Sequence, residues 1–299
     1  MSQIACHELG YDLQEALDRC NIQEKDLHAL KNPPIPGVPA NITDKQLLLF
    51  LNACGDVAQA RQCLETYYDS RRNAPEHFTN RDPRSDEILQ CFQAQEYILL
   101  PPTAEGHDVI FHRLYQTAPS AYNYDQAIRT FFMTIDMCLY SRGPRPGLVF
   151  LFDMKGVSLG HLTRLRVAGT RKFFKYLQDA LPAKLKAIHV MNVVPFFDKI
   201  LLLIKPFMKK ELMNMLHIHS SNIDMEKFYA EILPRSVLPS DFGGDLADCR
   251  TLHQEFCEKI QAHASYFVAE EQQRYNGIQT NGKKKQVTSE AEFRRLEID

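Results

Sequence analysis

Five consecutive residues, Leu148-Val149-Phe150-Leu151-Phe152, constrain this chain more than any other stretch. As a strand they show no polar alternation, so both faces must be buried. A sheet with cover on each side follows. One account is a central strand between two layers of structure. The other is a strand with one face on a helical layer and the other on a bound lipid. Strand-like runs at 97–100, 108–114, 148–154, 186–192 and 215–219 alternate with helical runs near 125–141, 161–180 and 195–213. That alternation argues for an α/β fold with a mixed or parallel sheet covered by helices.

The segment 193–208, Val-Val-Pro-Phe-Phe-Asp-Lys-Ile-Leu-Leu-Leu-Ile-Lys-Pro-Phe-Met, is too greasy for an ordinary surface helix. It is also too short and too charged to cross a bilayer, which takes ~20 nearly uncharged residues. Pro195 suits a first helical turn, where its missing N–H would have no partner. Phe196, Phe197, Ile200, Leu201 and Ile204 then share one helix face. Val194, Leu202, Leu203 and Phe207 widen the apolar surface, and Pro206 kinks or ends the helix. An ordinary core helix and a mobile lid over a lipid cavity both fit these residues.

Residues 1–80 read as a helical module. Leu9, Leu13, Ala16, Leu17 and Cys20 keep helical spacing, and Thr43-Asp44 starts a helix carrying Leu47, Leu48, Phe50 and Leu51. Between them Pro33, Pro34, Pro36 and Pro39 suggest a rigid extended connector. The α/β domain is expected over 86–247, and one helix over 248–275. A polar tail, 276–299, ends in Phe293, Leu296 and Ile298, which are expected to dock back.

The hydrophobic fraction of 44% is ordinary, and the net charge of -2 gives no overall attraction to nucleic acid. The eight cysteines form no C-x-x-C pair. With no apolar signal core at the N-terminus, free thiols in a reducing cytosol are expected. There is no G-x-S-x-G elbow, Walker A loop or G-x-G-x-x-G. His217 and His219 point to one strand face, but no supporting ligand completes a zinc site. No enzyme, metal or cofactor is indicated.

Leu148 to Leu159, Leu181-Pro182 through Asn192, the segment 193–208, and Leu233-Pro234…Leu238-Pro239…Phe242-Gly243-Gly244 together resemble the CRAL-TRIO lipid-transfer family. Leu47 to Leu51, Val57, Ala60, Tyr67, Tyr68 and Arg71 look like the helical module that precedes the lipid domain there. Phe78 to Pro83 and the closing Phe-Arg-Arg-Leu-Glu-Ile-Asp look most like an arthropod branch. The resemblance implies a sheet floor, a helical wall and a hinged lid around one hydrophobic ligand. The implied wall includes Thr130, Thr134 and Met137 on one helix stripe, and Leu148, Phe150 and Phe152 on the buried strand. Phe173, Tyr176, Leu177 and Leu181 would follow from the next helix, and Ile188 and Val190 from the fourth strand. The implied lid comprises Val194, Phe196, Phe197, Ile200, Leu201, Leu203, Ile204 and Phe207. At each position ordinary core packing is an equal alternative.

The family's tocopherol-transfer-type members carry a basic patch for phosphoinositide head groups. Here Lys184 matches one position, and Lys209 and Lys210 lie near. Asn52, Cys54, Glu211 and Met215 stand where the others would be. The expectation is therefore a cytoplasmic carrier of tocopherol, a retinoid, a carotenoid or a related lipid, transiently at membranes. A phosphoinositide-binding adaptor of vesicle traffic is the alternative.

Overall fold

The run Leu148–Asp153 forms β3, the central strand of a five-stranded sheet ordered β1-β2-β3-β4-β5. Its companions are β1 (Gln95–Leu100), β2 (Asp108–Leu114), β4 (Leu185–Met191) and β5 (Leu216–Ile218). β1 runs antiparallel to β2, and β2 through β5 are parallel. The computed structural model describes residues 8–276. The tail, with the expected docking of Phe293, Leu296 and Ile298, lies outside the described residues.

The period-two geometry of the strands sorts the apolar residues onto two faces. Tyr97, Ile110, Leu148, Phe150, Ile188 and Val190 face one core. Ile98, Leu100, Val109, Phe111, Val149, Leu151 and Met191 face the other, beneath Phe228, Leu233, Val237 and Leu238. Both faces of β3 are thus covered, as its composition requires.

The first core is closed by α7 (Tyr124–Arg142) and α9 (Val167–Asp179). Asn123 caps the start of α7, and its buried residues run through nearly every position from Ala127 to Leu139. A helix apolar all round must be enclosed. α7 lies between the sheet and an N-terminal group of helices: α1 (Leu13–Cys20), α2 (Glu24–Lys31), α3 (Asp44–Cys54), α4 (Val57–Arg72) and α5 (Pro75–Phe78). The α5 ring Phe78 stacks on Phe132 of α7 with centroids 4.7 Å apart. α6 (Asp86–Ala94) leads into β1. α3 starts at a reciprocal Thr43–Gln46 cap and stops at Gly55, whose φ of 82° suits glycine.

Several expected elements are broken or shifted. The proline-rich connector is not extended throughout, because Pro36-Gly37 makes a turn with Val38 N–H bonded to Ile35 O at 3.1 Å. The run near 161–180 divides into α8 (Leu159–Leu162) and α9. The run 195–213 divides into α10 (Phe197–Ile204), a 3₁₀ turn (Lys205–Phe207) holding Pro206, and α11 (Lys210–Asn214). Pro195 therefore precedes the helix, and Phe196 is its cap residue. After α12 (Met225–Glu231), the expected last helix divides at His263 into α13 (Cys249–Ala262) and α14 (Ala264–Asn276).

Candidate functional site

α10 belongs to the connection from β4 to β5, which carries it to the α9 side of the sheet. Phe197 is buried against the first core, and Ile200, Leu201, Ile204 and Phe207 are half-buried against it. Val194 is half-buried just before the helix. Leu202 and Leu203 point outward, 76% and 45% exposed. The helix thus has an inner apolar face and an outer one.

Opposite the inner face lie the expected floor and wall. Phe150 is fully buried, Ile188 and Val190 nearly so, and Leu148 is buried at the start of β3. Phe152, Phe173, Val193 and Leu216 are half-buried in the same cluster. Leu177 and Leu181 are buried. One ring the sequence reading missed, Phe131 of α7, joins these parts. Its centroid lies 5.0 Å from Phe150, 5.4 Å from Phe152 and 6.0 Å from Phe173. Spacing on α7 does not single it out, because the helix is apolar on every side. A second missed residue is His112 of β2, half-buried with its ring 5.8 Å from Phe152 and Nε2 3.0 Å from Gln95 Oε1. Burial pushes its pKa down to about 3, so it is a neutral polar group beside the apolar face.

Three expected wall residues have other partners. The Thr130 hydroxyl meets Tyr97 Oη at 2.8 Å and Gln126 O at 2.9 Å, and Thr134 donates to Thr130 O at 2.9 Å. Each buried hydroxyl therefore has a protein partner. Met137, on the same stripe, is fully buried. The Tyr176 hydroxyl accepts from Arg71 Nη2 at 2.6 Å.

Arg71 is the centre of a buried ion network. Its Nη2 lies 2.6 Å from Asp136 Oδ1, and its Nη1 3.2 Å from Glu270 Oε1. Arg81 reaches Asp136 Oδ2 at 2.5 Å and also contacts Glu270. Arg274 donates to Arg71 O and Phe78 O. α4, α7, α9 and α14 are thereby joined through charges withdrawn from water. The lone carboxylate of Asp136 inside the apolar run of α7 was the available sequence signal.

Beside the site is an open cleft of about 730 Å³. It is walled by Cys54, Cys63 and Gln62 from the helical module and by Leu177, Leu181 and Lys209. Lys209 Nζ sits 2.5 Å from Asp179 Oδ1, with Lys175 3.6 Å from the other oxygen. Glu211 also lines the cleft. Lys184 is half-buried and Lys210 exposed at the start of α11. Of the three expected basic residues, Lys209 lines the cleft and is neutralised there by Asp179. Asn52 donates instead to Arg145 O at 2.9 Å.

His217 and His219 share a face as expected, and His189 of β4 joins them. The ring of His189 stacks on His217 at 4.9 Å, and its Nδ1 lies 3.0 Å from His219 Nε2. Among the described residues no group of His, Cys, Asp or Glu has metal-binding geometry. Burial first, then the other two histidines, push the His189 pKa down to about 4, and His219 moves down as well. α12 presents the ring of Phe228 to this group, while its Lys227 and Glu231 pair with each other. A depressed histidine pKa makes the unfolded chain bind protons first. The stabilisation from neutral packing is full above about pH 6.5 and is lost as pH falls toward 4. Thermal melts should therefore show a lower midpoint at pH 5 than at pH 7.5, and His189→Gln should shrink that difference. An equal pH difference in both proteins would rule out this origin.

Fold and site together define an α/β protein whose sheet carries an apolar face roofed by a crossover helix. Residues 94–244 match the CRAL/TRIO domain, and residues 24–88 match the Pinta-like UBA domain. The chain belongs to the CRAL/TRIO family, whose general role is lipid binding and transfer. It is 30% identical to the alpha-tocopherol transfer protein-like protein of Homo sapiens, over 80% of this chain and 74% of that one. The Mus musculus counterpart is 31% identical over the same shares. Clavesin-2 of Rattus norvegicus is 26% identical over 33% of this chain and 30% of its own. The crystal structure of Sfh5 aligns with 88% of this chain and 87% of its own at 14% identity and a TM-score of 0.48.

Proposed function

We propose that this protein carries one small hydrophobic molecule between membranes, holding it under α10. The observation that carries this reading is the two-sided apolar helix. Its inner face packs against the first core, which half-buried Phe152 and Phe173 also join, and its outer face exposes Leu202 and Leu203. Burying a hydrocarbon ligand gains ~0.8 kcal/mol per CH₂, enough in sum to compete with a bilayer. Tocopherol, a retinoid, a carotenoid or a related lipid is the proposed ligand class. The name of these relatives, alpha-tocopherol transfer protein-like, favours tocopherol among them. The ligand contacts proposed are the floor and wall residues Leu148, Phe150, Phe152, Phe173, Leu177, Leu181, Ile188 and Val190, with Phe131 added. Neutral His112 suits a single hydroxyl on such a ligand.

The setting proposed is the cytoplasm with transient membrane contact, without catalysis; the arthropod branch is likewise our reading of residues 78–83 and the C-terminus. The adaptor alternative is disfavoured, because Asp179 neutralises Lys175 and Lys209 in the cleft. Native mass spectrometry of the protein purified from its source tissue tests the carrier reading. One apolar molecule bound per chain is expected, displaced by tocopherol or retinoids in competition. Recovery of only phospholipid head-group-dependent complexes, with no apolar ligand taken up from vesicles, would overturn it.

A further inference from the structure

Three histidines that the carrier reading does not use hold β5 to the sheet. β5 is an edge strand of three residues and, among the described strands, pairs with β4 alone. His189 and His217 are partners in register across that border, with Leu151 of β3 as the partner of His189 on its other side. Their rings stack at 4.9 Å, His219 stacks on His189 at 5.3 Å, and His189 Nδ1 lies 3.0 Å from His219 Nε2. The backbone of His219 makes two clips beside this group, donating to Val190 O at 2.9 Å and accepting from Val193 N–H at 3.2 Å. We propose that the three histidines are an acid latch: carrying at most one proton among them they hold β5 on β4, and a second proton releases β5 and, with it, the root to which the α10 segment returns.

A neutral imidazole has one N–H and one bare nitrogen. The His189–His219 bond uses an N–H of one ring and the bare nitrogen of the other. One proton leaves it intact, because an imidazolium still donates to a neutral ring. Protonating both rings sets N–H against N–H and removes the acceptor. Protons on His189 and His217 instead place two like charges in stacked rings, and His189 is buried, so water screens them little. The surroundings do not compensate. α12 offers the ring of Phe228, 6.1 Å from His189 and 5.5 Å from His219. Its Lys227 pairs with Glu231, its Glu226 with Arg235, and the Asp224 carboxylate caps its first turn. On β3, Asp153 is engaged by Asn192 and by Lys155 N–H. α11, which packs on β5, carries Lys210 and Glu211, and β4 carries Lys186. Among the described residues only His77 has a carboxylate within 4 Å, so no anion is paired with the three rings. Burial first, and the neighbouring histidines second, disfavour the charged forms of His189 and His219, as rings without an anion require.

The latch belongs to the β4–β5 border and stands whether or not α10 covers a ligand. Under the carrier reading it makes acid a release signal. β5 and α10 come free while β1, β2 and β3, joined by their own ladders, stay folded.

Hydrogen–deuterium exchange of the full chain tests this, with no lipid added, from pH 7.5 to pH 5.0 and corrected for the intrinsic pH dependence of amide exchange. Amides of residues 197–219 should lose protection at least ~10-fold, the factor that one unit of pKa difference between latched and released states gives per proton. Those of β1, β2 and β3 should keep theirs. With His189→Gln and His219→Gln together, a neutral amide replaces each ring and the pH-dependent loss should vanish. NMR titration of the histidine ring carbons in the wild-type protein decides the matter without any variant. There the loss of protection should follow the second proton and be steeper than a one-proton curve. Unchanged protection at pH 5.0, a loss shared equally by β1 to β3, an equal loss in the double variant, or a loss complete with the first proton would each overturn the latch. No ligand enters these measurements, so the latch can fail while an apolar molecule is still recovered with the protein, and the carrier reading can fail while the latch holds.

Discussion

Asp136→Ala is expected to lower the thermal midpoint by roughly 6–20 °C, the largest stability loss we expect from a single substitution outside the aromatic core. Asp136 neutralises Arg71 and Arg81, both fully buried, with contacts of 2.6 and 2.5 Å. Removing one member of a buried pair leaves a charge with neither water nor partner, which costs ~3–5 kcal/mol. Among the described residues, Glu270 would remain as the one carboxylate ion-paired with the two guanidinium groups. Arg71 also stacks its guanidinium over Tyr67 at 4.1 Å and donates to Tyr176, so its displacement would spread into α4 and α9. Thermal unfolding followed by circular dichroism measures the effect. A loss of less than about 1 kcal/mol would mean that water enters the network and that these charges are not isolated.

The second large effect concerns transfer. Leu202→Asp should slow movement of a hydrophobic ligand between vesicles by roughly 10- to 100-fold, with the melting curve unchanged. Leu202 is 76% exposed, so the folded protein in solution loses nothing when it becomes polar. A leucine entering the membrane interface gains ~1.5–3 kcal/mol, and an aspartate forfeits that gain. Ile200→Asp separates the two faces. Ile200 is half-buried against the first core, so its substitution should weaken ligand binding itself. If Leu202→Asp transfers at the wild-type rate, α10 does not enter the membrane by its outer face.

The sheet was legible because its signals are local. A run of five apolar residues in β3 dictates cover on both faces, and the strands around it start and stop within two residues of their expected limits. The segment 193–208 stood out by its excess of apolar residues. Its division was not, because a proline can end a helix or sit in a 3₁₀ turn, and only tertiary contacts decide. On α7 periodicity failed for a different reason. Thr130 and Thr134 keep perfect helical spacing, but so do Phe131 and Ile135, and a helix buried all round gives no preferred stripe. The stacking of His189 on His217 joins residues 28 apart in the chain, and the Arg71–Glu270 contact joins residues far more distant. Such pairings leave no local pattern to read.

The way α10 is rooted has a mechanical consequence. The chain leaves β4 at Asn192, in a left-handed conformation with its side chain bonded to Asp153 at 2.8 Å, and returns as β5 directly alongside. Because the two strands are parallel, the roots are held at opposite ends of β5: Val193 N–H reaches His219 O at 3.2 Å beyond its far end, and Ile188 N–H reaches Met215 O at 2.7 Å at its start. A flap held at one end can swing in any direction; a loop anchored at two separate points pivots about the line that joins them, like a trapdoor on paired hinges. If the segment covers a ligand as proposed, its free edge, opposite β5, is the doorway, and cargo would enter and leave from one flank of the molecule. A carrier with a one-sided doorway must land on each membrane in the same orientation, and collisions in any other pose deliver nothing.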